Sequence, residues 1–476
     1  MKLVYNVQDR PGKTPGFTFG KLLVFALQQL LAIMAATIAV PAAINSVYPN
    51  VNMSASAALF GAGVGTLVYL LFTKFKSPAF LGSSFAFIPS MLAAFAGGVS
   101  MSLGYLGLIL GAVMAGLVYV VIAVIIKFAG VKWVNKLMPA VVIGPTVAII
   151  GLSLAGSAVG SLSSGTATCS PYIALLCGLA TLAVTIICSI YGKKFLKMIP
   201  FVIGILAGYA LAAIFTVIGN VASLDALKVI DFSKFDHMQW YPDFTFLTAF
   251  KGNYEFGKAG SFGAYLATVA VAYVPVAFVV FAEHIADHKN LSTIIEKDLL
   301  VEPGLHRTLL GDGVGSIAGA FFGGCPNTTY GESVGCVAIS GNASVSTILV
   351  TALMAIVISF IAPFSTFLAT IPSCVMGGVC IALYGFIAVS GLKMIQKVDL
   401  EDSANLFVAS VILITGIGGL SVSFGAITIT NVACALILGI LTNLLVKRGR
   451  KSEAGESELN EIKSDKKTDA NDGNVA

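Results

Sequence analysis

The sequence predicts an all-α polytopic membrane protein, with fourteen membrane segments arranged as two inverted sets of seven. Three observations carry that prediction. Apolar residues make up 57% of the chain and charged residues 11%, with a mean hydropathy of +0.92, too few charges to cover a soluble surface of this size. Twelve stretches reach the roughly 20 apolar residues of a spanning helix, and two shorter broken segments add to them. Lysine and arginine alternate between loops in the way a positive-inside topology requires.

The predicted spans run near 21–43, 54–73, 102–126, 138–159, 171–191, 198–219, 262–284, 308–324, 344–364, 366–390, 403–423 and 426–446. The short segments lie near 82–96 and 328–340. With the N-terminus in the cytoplasm, the inside segments hold 24 of the 28 Lys and Arg residues. The other four fall in the outside stretch 220–261, among five acidic residues. The expected organisation is a cytoplasmic arm (1–20), a first repeat (21–219), an extracytoplasmic linker (220–261), a second repeat (262–446) and a disordered cytoplasmic tail (447–476), charged and poor in large apolar residues. The 50 glycines suit close helix packing in lipid. The eight cysteines form no CxxC pair and read as small buried hydrophobes, with no disulfide framework. The first 20 residues lack the apolar core of a cleavable signal peptide.

The two short segments are third and tenth of fourteen, each third in its own set. LGSSFAFIP (81–89) and CPNTTYGE (325–332) are polar and interrupted by Gly or Pro. Because seven is odd, the second set enters the membrane from the opposite side. Broken segments in matching positions of inverted halves point to a transporter site at the midplane, where freed backbone N–H groups can meet a polar ligand.

Of the 23 acidic residues, Glu283, Asp287, Asp312 and Glu332 alone are expected at membrane depth, where a charge costs a few kcal/mol. Each can be a functional group or a structural hydrogen-bond acceptor. Hydropathy places Glu283 near the cytoplasmic end of its helix, unless that helix begins later than Phe262. In EHIADH (283–288), His284 and His288 with Asp287 resemble a reversed zinc-hydrolase motif. The Asp is a methylene shorter than the Glu expected, and the remaining histidines, His237 and His306, lie in predicted loops, so no metal site is expected. His288 and Lys289 read instead as the cytoplasmic mouth. His284 reads as a packing residue or a minor participant in proton movement. Gln28 and Gln29 can serve interhelical hydrogen bonds or a cavity.

The stretches FALQQLLAIMAATIAVP, AFLGSSFAFIPS, AEHIADHKNLS, EKDLLVEPGLHRTLLGDG, PNTTYGESVG and PSCVMGGVCIALYG resemble those of the nucleobase–ascorbate (nucleobase/cation symporter-2) transporters, most of all their uracil permease branch. NTTYGE with AEH upstream is the specific part. The resemblance implies seven plus seven inverted helices, with short β-strands in segments three and ten. It also implies a core domain (segments one to four and eight to eleven), a gate domain (five to seven and twelve to fourteen), and a homodimer. Carried over by position, Glu283 and Glu332 are substrate carboxylates, Phe85 and Gly331 offer backbone groups, and Tyr330 packs against the substrate ring. Gln29 and Ser84 are further cavity candidates. The chain departs from the family at Asp287, where some uracil permeases have a proton-coupling His, with His288 one residue late. It departs again at Gln29, Ser333 and Ser340.

Uracil chemistry agrees: ring N–H donors suit carboxylates, and ring carbonyls suit backbone N–H groups. Two acids in one small cavity need not both be ionised, which leads to an expectation of proton-coupled uracil import, with Glu283, Glu332, Asp287 and His288 as the proton-coupling candidates. Xanthine or urate transport is the alternative within the family, although its purine branch usually has Gln where Glu332 stands. Sulfate-type anion carriers would want a cationic site and a folded cytoplasmic domain, and a channel suits a closed midplane site poorly. An intramembrane metal hydrolase would rest on the His pair alone. The expected partners are uracil, protons and the lipid bilayer of the cell membrane, with both termini cytoplasmic. No cofactor and no nucleic acid is expected.

Overall fold

The computed structural model describes residues 3–130, 139–193, 195–424 and 427–446. The predicted tail, with Lys132, Lys136 and Lys194 of the inside set, lies outside the described residues. In chain order the main elements of the first half are α1 (Phe19–Val47), α2 (Ala55–Phe72), β1 (Leu81–Ser83), α3 (Ile88–Phe95), α4 (Met101–Ala129), α5 (Ala140–Ser153), α6 (Pro171–Tyr191) and α7 (Pro200–Val221). There follow α8 (Phe262–Ile295), α9 (Leu305–Gly323), β2 (Asn327–Thr329), α10 (Gly331–Ser340), α11 (Val345–Ile358), α12 (Ser373–Ile395) and α13 (Ser403–Ile417). The hairpin β3 (Val422–Phe424) and β4 (Ile427–Ile429) leads to α14 (Asn431–Val446).

Helix starts follow local chemistry. Thr18, Ser54, Ser100 and Ser261 cap α1, α2, α4 and α8 by accepting a first-turn N–H, while Pro171 and Pro200 open α6 and α7. Eight helices among the described residues are long and apolar enough to cross a bilayer. The chain is therefore a helical polytopic membrane protein.

Several boundaries differ from the sequence expectation. The helix expected to end at residue 284 continues to Ile295, 34 residues in all, or about 51 Å at the usual rise. Glu283 therefore sits well inside it, and the polar run after it stays helical because its side chains find partners in the protein. The span expected over 344–364 stops at Ile358, and a second helix, Ala362–Thr370, turns away by 83°. Pro363 and Pro372 restart the chain there, each at the beginning of a helix. The span expected to reach 423 ends at Ile417, where Gly419 takes positive φ and the β-branched residues beyond it pair as a hairpin.

The arm before α1 is packed rather than free. Val4 and Tyr5 donate backbone N–H groups to Gly341, Ala343 donates to Tyr5 and Val345 to Val7. Tyr5 stacks on Phe17 at 4.1 Å, Ser344 donates to the Asp9 carbonyl, and Gln8 reaches the Phe75 carbonyl. The arm thus straps the turn after α10 to the turn after α2.

The centre of the fold is the contact of α2 with α9. Gly61 and Gly65 on α2 face Gly319 and Gly315 on α9 so closely that a side chain on Gly61, Gly65 or Gly315 would strike backbone, the arrangement lipid-embedded helices use to approach. The Asn327 side chain fills the gap beside Gly65 and Gly319 and donates to the Gly61 carbonyl. It pins β2 to that helix pair.

Candidate functional site

The strands β1 and β2 pair antiparallel, with Leu81 opposite Thr329, Gly82 opposite Thr328 and Ser83 opposite Asn327. Flanking bonds run from Ser84 N–H to the Pro326 carbonyl and from Tyr330 N–H to the Phe80 carbonyl. Extended backbone at this depth needs a partner for every polar group, and each segment supplies the other's. Each strand then turns directly into a half-length helix, α3 or α10.

Gly82 is required here. A Cβ on it would run into the Tyr330 ring, which lies buried over β1 with its hydroxyl donating to the Ser83 carbonyl at 2.8 Å. The Tyr330 hydroxyl is thus committed to the strand pair. Tyr330 is also the N-cap position of α10 and offers no side-chain cap, so first-turn N–H groups of α10 keep no helical partner. Gly331 is exposed and Glu332 half-buried at that helix end.

The acids on α8 converge on the same place. Glu283 and Asp287 are half-buried, and Asp287 Oδ2 accepts from the Thr329 hydroxyl at 3.2 Å. A side chain on Gly331 would touch Asp287 Oδ1. Glu283 lies one helical turn before Asp287 on α8, and Glu332 follows Gly331 in the first turn of α10. Thus α8 brings Asp287, with Glu283 one turn away on the same helix, against the residues that join β2 to α10. Phe85 is half-buried at the end of β1. The Ser84 hydroxyl is buried without a hydrogen-bond partner among the described residues.

The other candidates fall elsewhere. Gln29 is buried and its amide nitrogen bonds the hydroxyl and carbonyl of Ser333, so it ties α1 to the turn of α10 that carries Glu332. His288 is not at a cytoplasmic mouth: it is 1% exposed and points to Tyr69 on α2. It lies about 100° around the helix from Asp287, so the two cannot share one face, while Lys289 next to it is exposed. Both His rings have partners inside the protein, Thr308 and Asp312 for His284, Tyr69 for His288. Asp312 is fully buried, between His284 and the Thr328 hydroxyl.

Two residues of the site escape sequence reasoning. Thr329 is legible only as part of a polar run, and its bond to Asp287 depends on the strand register. Tyr384 on α12 meets Phe85 edge to face at 5.9 Å. It also lines a cavity of about 460 Å³ with Asn45, Ser157, Ser365 and, from the 220–261 stretch, Lys234 and Asp243. Glu283, Asp287, Gly331 and Glu332 do not line that cavity, and no sequence signal marks one aromatic residue in an apolar helix as its wall.

Known proteins resemble this chain in both sequence and fold. A family model described as "Permease family" matches residues 20–424. The chain is 39% identical over 468 residues to the uracil permease of Bacillus caldolyticus, covering 98% of this chain and 99% of that protein. It is 38% identical to the uracil permease of Bacillus subtilis (92% and 95% covered) and 36% identical to that of Escherichia coli K12 (89% and 90%). In three dimensions it is similar to the transmembrane domain of the cyanobacterial bicarbonate transporter BicA, with TM-score 0.57 and 15% identity over 90% of this chain and 97% of that one. SLC26A9 matches at TM-score 0.57 and 12% identity, over 91% of this chain and 66% of that one. At such identities the two structures speak for the fold alone.

Proposed function

This chain belongs to the permease family matched across residues 20–424, and from that premise we propose that it carries uracil across the cell membrane together with protons. It is a carrier and not an enzyme. The observation that carries the reading is the set of half-buried acids Glu283, Asp287 and Glu332 near the start of α10, where Tyr330 offers no side-chain cap, in a chain whose uracil permease relatives match it nearly end to end.

The roles follow from donor and acceptor counts. Uracil is neutral and alternates N–H donors with carbonyl acceptors. Glu283 and Glu332 accept its N–H groups, while backbone groups of Gly331 and Phe85 take the remaining ring atoms. Tyr330 supports the ring's floor through its lock on β1. Ser84, whose hydroxyl has no partner among the described residues, is available to the same cavity, and Gln29 holds α10 in register. Glu283 or Glu332 takes up the coupled proton, with Asp287 and His288 as the groups that pass it on.

The proposed architecture is two inverted repeats of seven segments. The core comprises α1 to α4 and α8 to α11, and α5 to α7 with α12 to α14 form the gate. Termini face the cytoplasm and the 220–261 linker faces outside. Exposed apolar residues on α6 and α7, such as Tyr172, Ile187 and Val221, are available to lipid or to a second copy.

The test is uptake of radiolabelled uracil into proteoliposomes, with and without an imposed pH gradient, with xanthine and uric acid as competitors. Gradient-stimulated uptake that neither purine displaces is the expected result. Uptake indifferent to the gradient removes the proton, and preferential displacement by xanthine removes the pyrimidine.

A further inference from the structure

The 220–261 linker consists of two anchored pieces with a free stretch between them. Its first piece is fastened to the elements proposed as the gate. The Thr216 hydroxyl on α7 accepts from the backbone N–H groups of Val229 and Ile230, at 3.1 and 3.0 Å, and both residues are buried. The Ala226 carbonyl accepts from Ser170 N–H at the start of α6. Lys234 Nζ donates to the Ala369 carbonyl at 2.7 Å. That carbonyl belongs to the helix Ala362–Thr370, which leads into α12 and is joined to α7 by the Thr370 and Tyr209 hydroxyls, 2.9 Å apart.

The second piece is fastened to the elements proposed as the core. Phe244 meets Phe60 of α2 at 4.9 Å, and Phe246 stacks on Phe321 of α9 at 5.0 Å. Ring pairs of this kind add to the burial that holds them. Further along, Ser100 N–H, at the cap of α4, donates to the Glu255 carbonyl, and Glu255 N–H returns a bond to the Ser100 hydroxyl. Lys258 N–H donates to the Gly97 carbonyl at 2.8 Å. This piece therefore follows α2, α4 and α9 wherever they go.

Between the two pieces lie residues 238–243, outside regular secondary structure. Among the described residues no hydrogen bond or ion pair holds them. Met238, Trp240 and Tyr241 are 43%, 65% and 60% exposed. The residues that flank this stretch meet again in one place: Lys234 and Asp243 both stand in the wall of the cavity of about 460 Å³. The same wall is built by α1 from the core and by α12 from the gate. Any motion that parts α12 from α1 draws the two anchored pieces apart.

We propose that residues 238–243 are a strap that extends as this cavity widens and sets the limit of its opening. The proposal rests on the core-and-gate carrier reading above and adds the element that stops the movement. Six extended residues reach about 20 Å. A stretch with no bonds of its own to break extends at the expense of chain entropy alone. Its length is then the controlling variable. Removing Met238–Trp240 halves the reach to about 10 Å, and inserting Gly-Ser-Gly-Ser between Gln239 and Trp240 adds about 13 Å.

Both length variants are made in the full chain carrying Ser157→Cys, with Cys169 and Cys188, the two native cysteines that are not buried, changed to Ser. Ser157 lines the cavity and its hydroxyl lies 3.0 Å from that of Ser46 on α1, so its labelling by a water-soluble maleimide in detergent reads opening without any substrate. Uracil uptake into proteoliposomes is the second readout. The shortened protein is expected to label at least fivefold more slowly than the unaltered length and to take up uracil at least tenfold more slowly. The lengthened protein is expected to label as fast or faster, with uptake within about twofold. Labelling that is unchanged or faster in the shortened protein overturns the strap. Equal slowing in both variants overturns it too, since a merely structural loop is disturbed by either change. Labelling that follows strap length in a protein unable to take up uracil leaves the strap standing and overturns the carrier reading. Normal uracil uptake with labelling indifferent to length does the reverse.

Discussion

At the scale of single residues, the proposed site places acceptors where the backbone has left donors free. Glu332 sits in the first turn of α10, beside N–H groups with no helical partner, and on α8 Glu283 lies one turn before Asp287, which meets that helix start. Glu332→Gln keeps the size of the side chain and removes its charge. It is expected to cut gradient-driven uracil uptake at least tenfold while the protein elutes and melts as wild type; unchanged uptake would take Glu332 out of the mechanism. Asp287→Asn keeps an acceptor for the Thr329 hydroxyl and loses only the titratable site. Its uptake is expected to persist with an altered pH profile, and an unaltered profile relieves Asp287 of coupling. Gly82→Ala tests packing. The new methyl meets the Tyr330 ring, and overpacking of this kind costs about 1–3 kcal/mol, so the melting temperature in detergent should fall along with uracil binding.

At the scale of elements, the design problem is holding two half-helices and two three-residue strands in a bilayer. Two short strands alone are marginal, and here they are anchored on every side. Asn327 is wedged between α2 and α9, Gln29 holds Ser333 from α1, and Tyr330 locks onto Ser83. The N-terminal arm adds a fourth anchor, since its backbone pairs with residues 341–345 immediately after α10. Deleting residues 1–16 removes those bonds without touching the pocket. The variant is expected to lose uracil affinity several-fold and to show faster amide exchange in 331–345. Wild-type affinity and exchange would make the arm a passive tether.

At the scale of the molecule, the proposed carrier mechanism requires that its site open to one side at a time. The cavity lined by Ser157, Asp243 and Ser365 takes Lys234 and Asp243 of the 220–261 linker into its wall, and its wall residue Tyr384 meets Phe85 edge to face. If the linker faces outside, a Ser157→Cys variant should react with a membrane-impermeant maleimide from that side, above the background of the native cysteines, six of which are buried. Labelling confined to the opposite side would invert the proposed topology. The distribution of lysine and arginine favours the orientation with both termini in the cytoplasm.

Much of this is legible in the amino-acid sequence, because hydropathy, charge placement and chain breakers act locally. The apolar spans, the two broken segments and the short roster of acids at membrane depth all follow from costs each residue meets wherever it lies in the membrane. Direction and partnership belong to the tertiary structure. His288 and Asp287 are neighbours in the chain, yet helical geometry sends one to Tyr69 and the other to Thr329. The helix carrying them runs on past its apolar stretch because tertiary partners satisfy its polar groups, which no hydropathy window can register. The register of β1 on β2 and the wedge of Asn327 likewise exist only once segments about 250 residues apart meet, since a strand too short to persist alone takes its geometry from whatever encloses it.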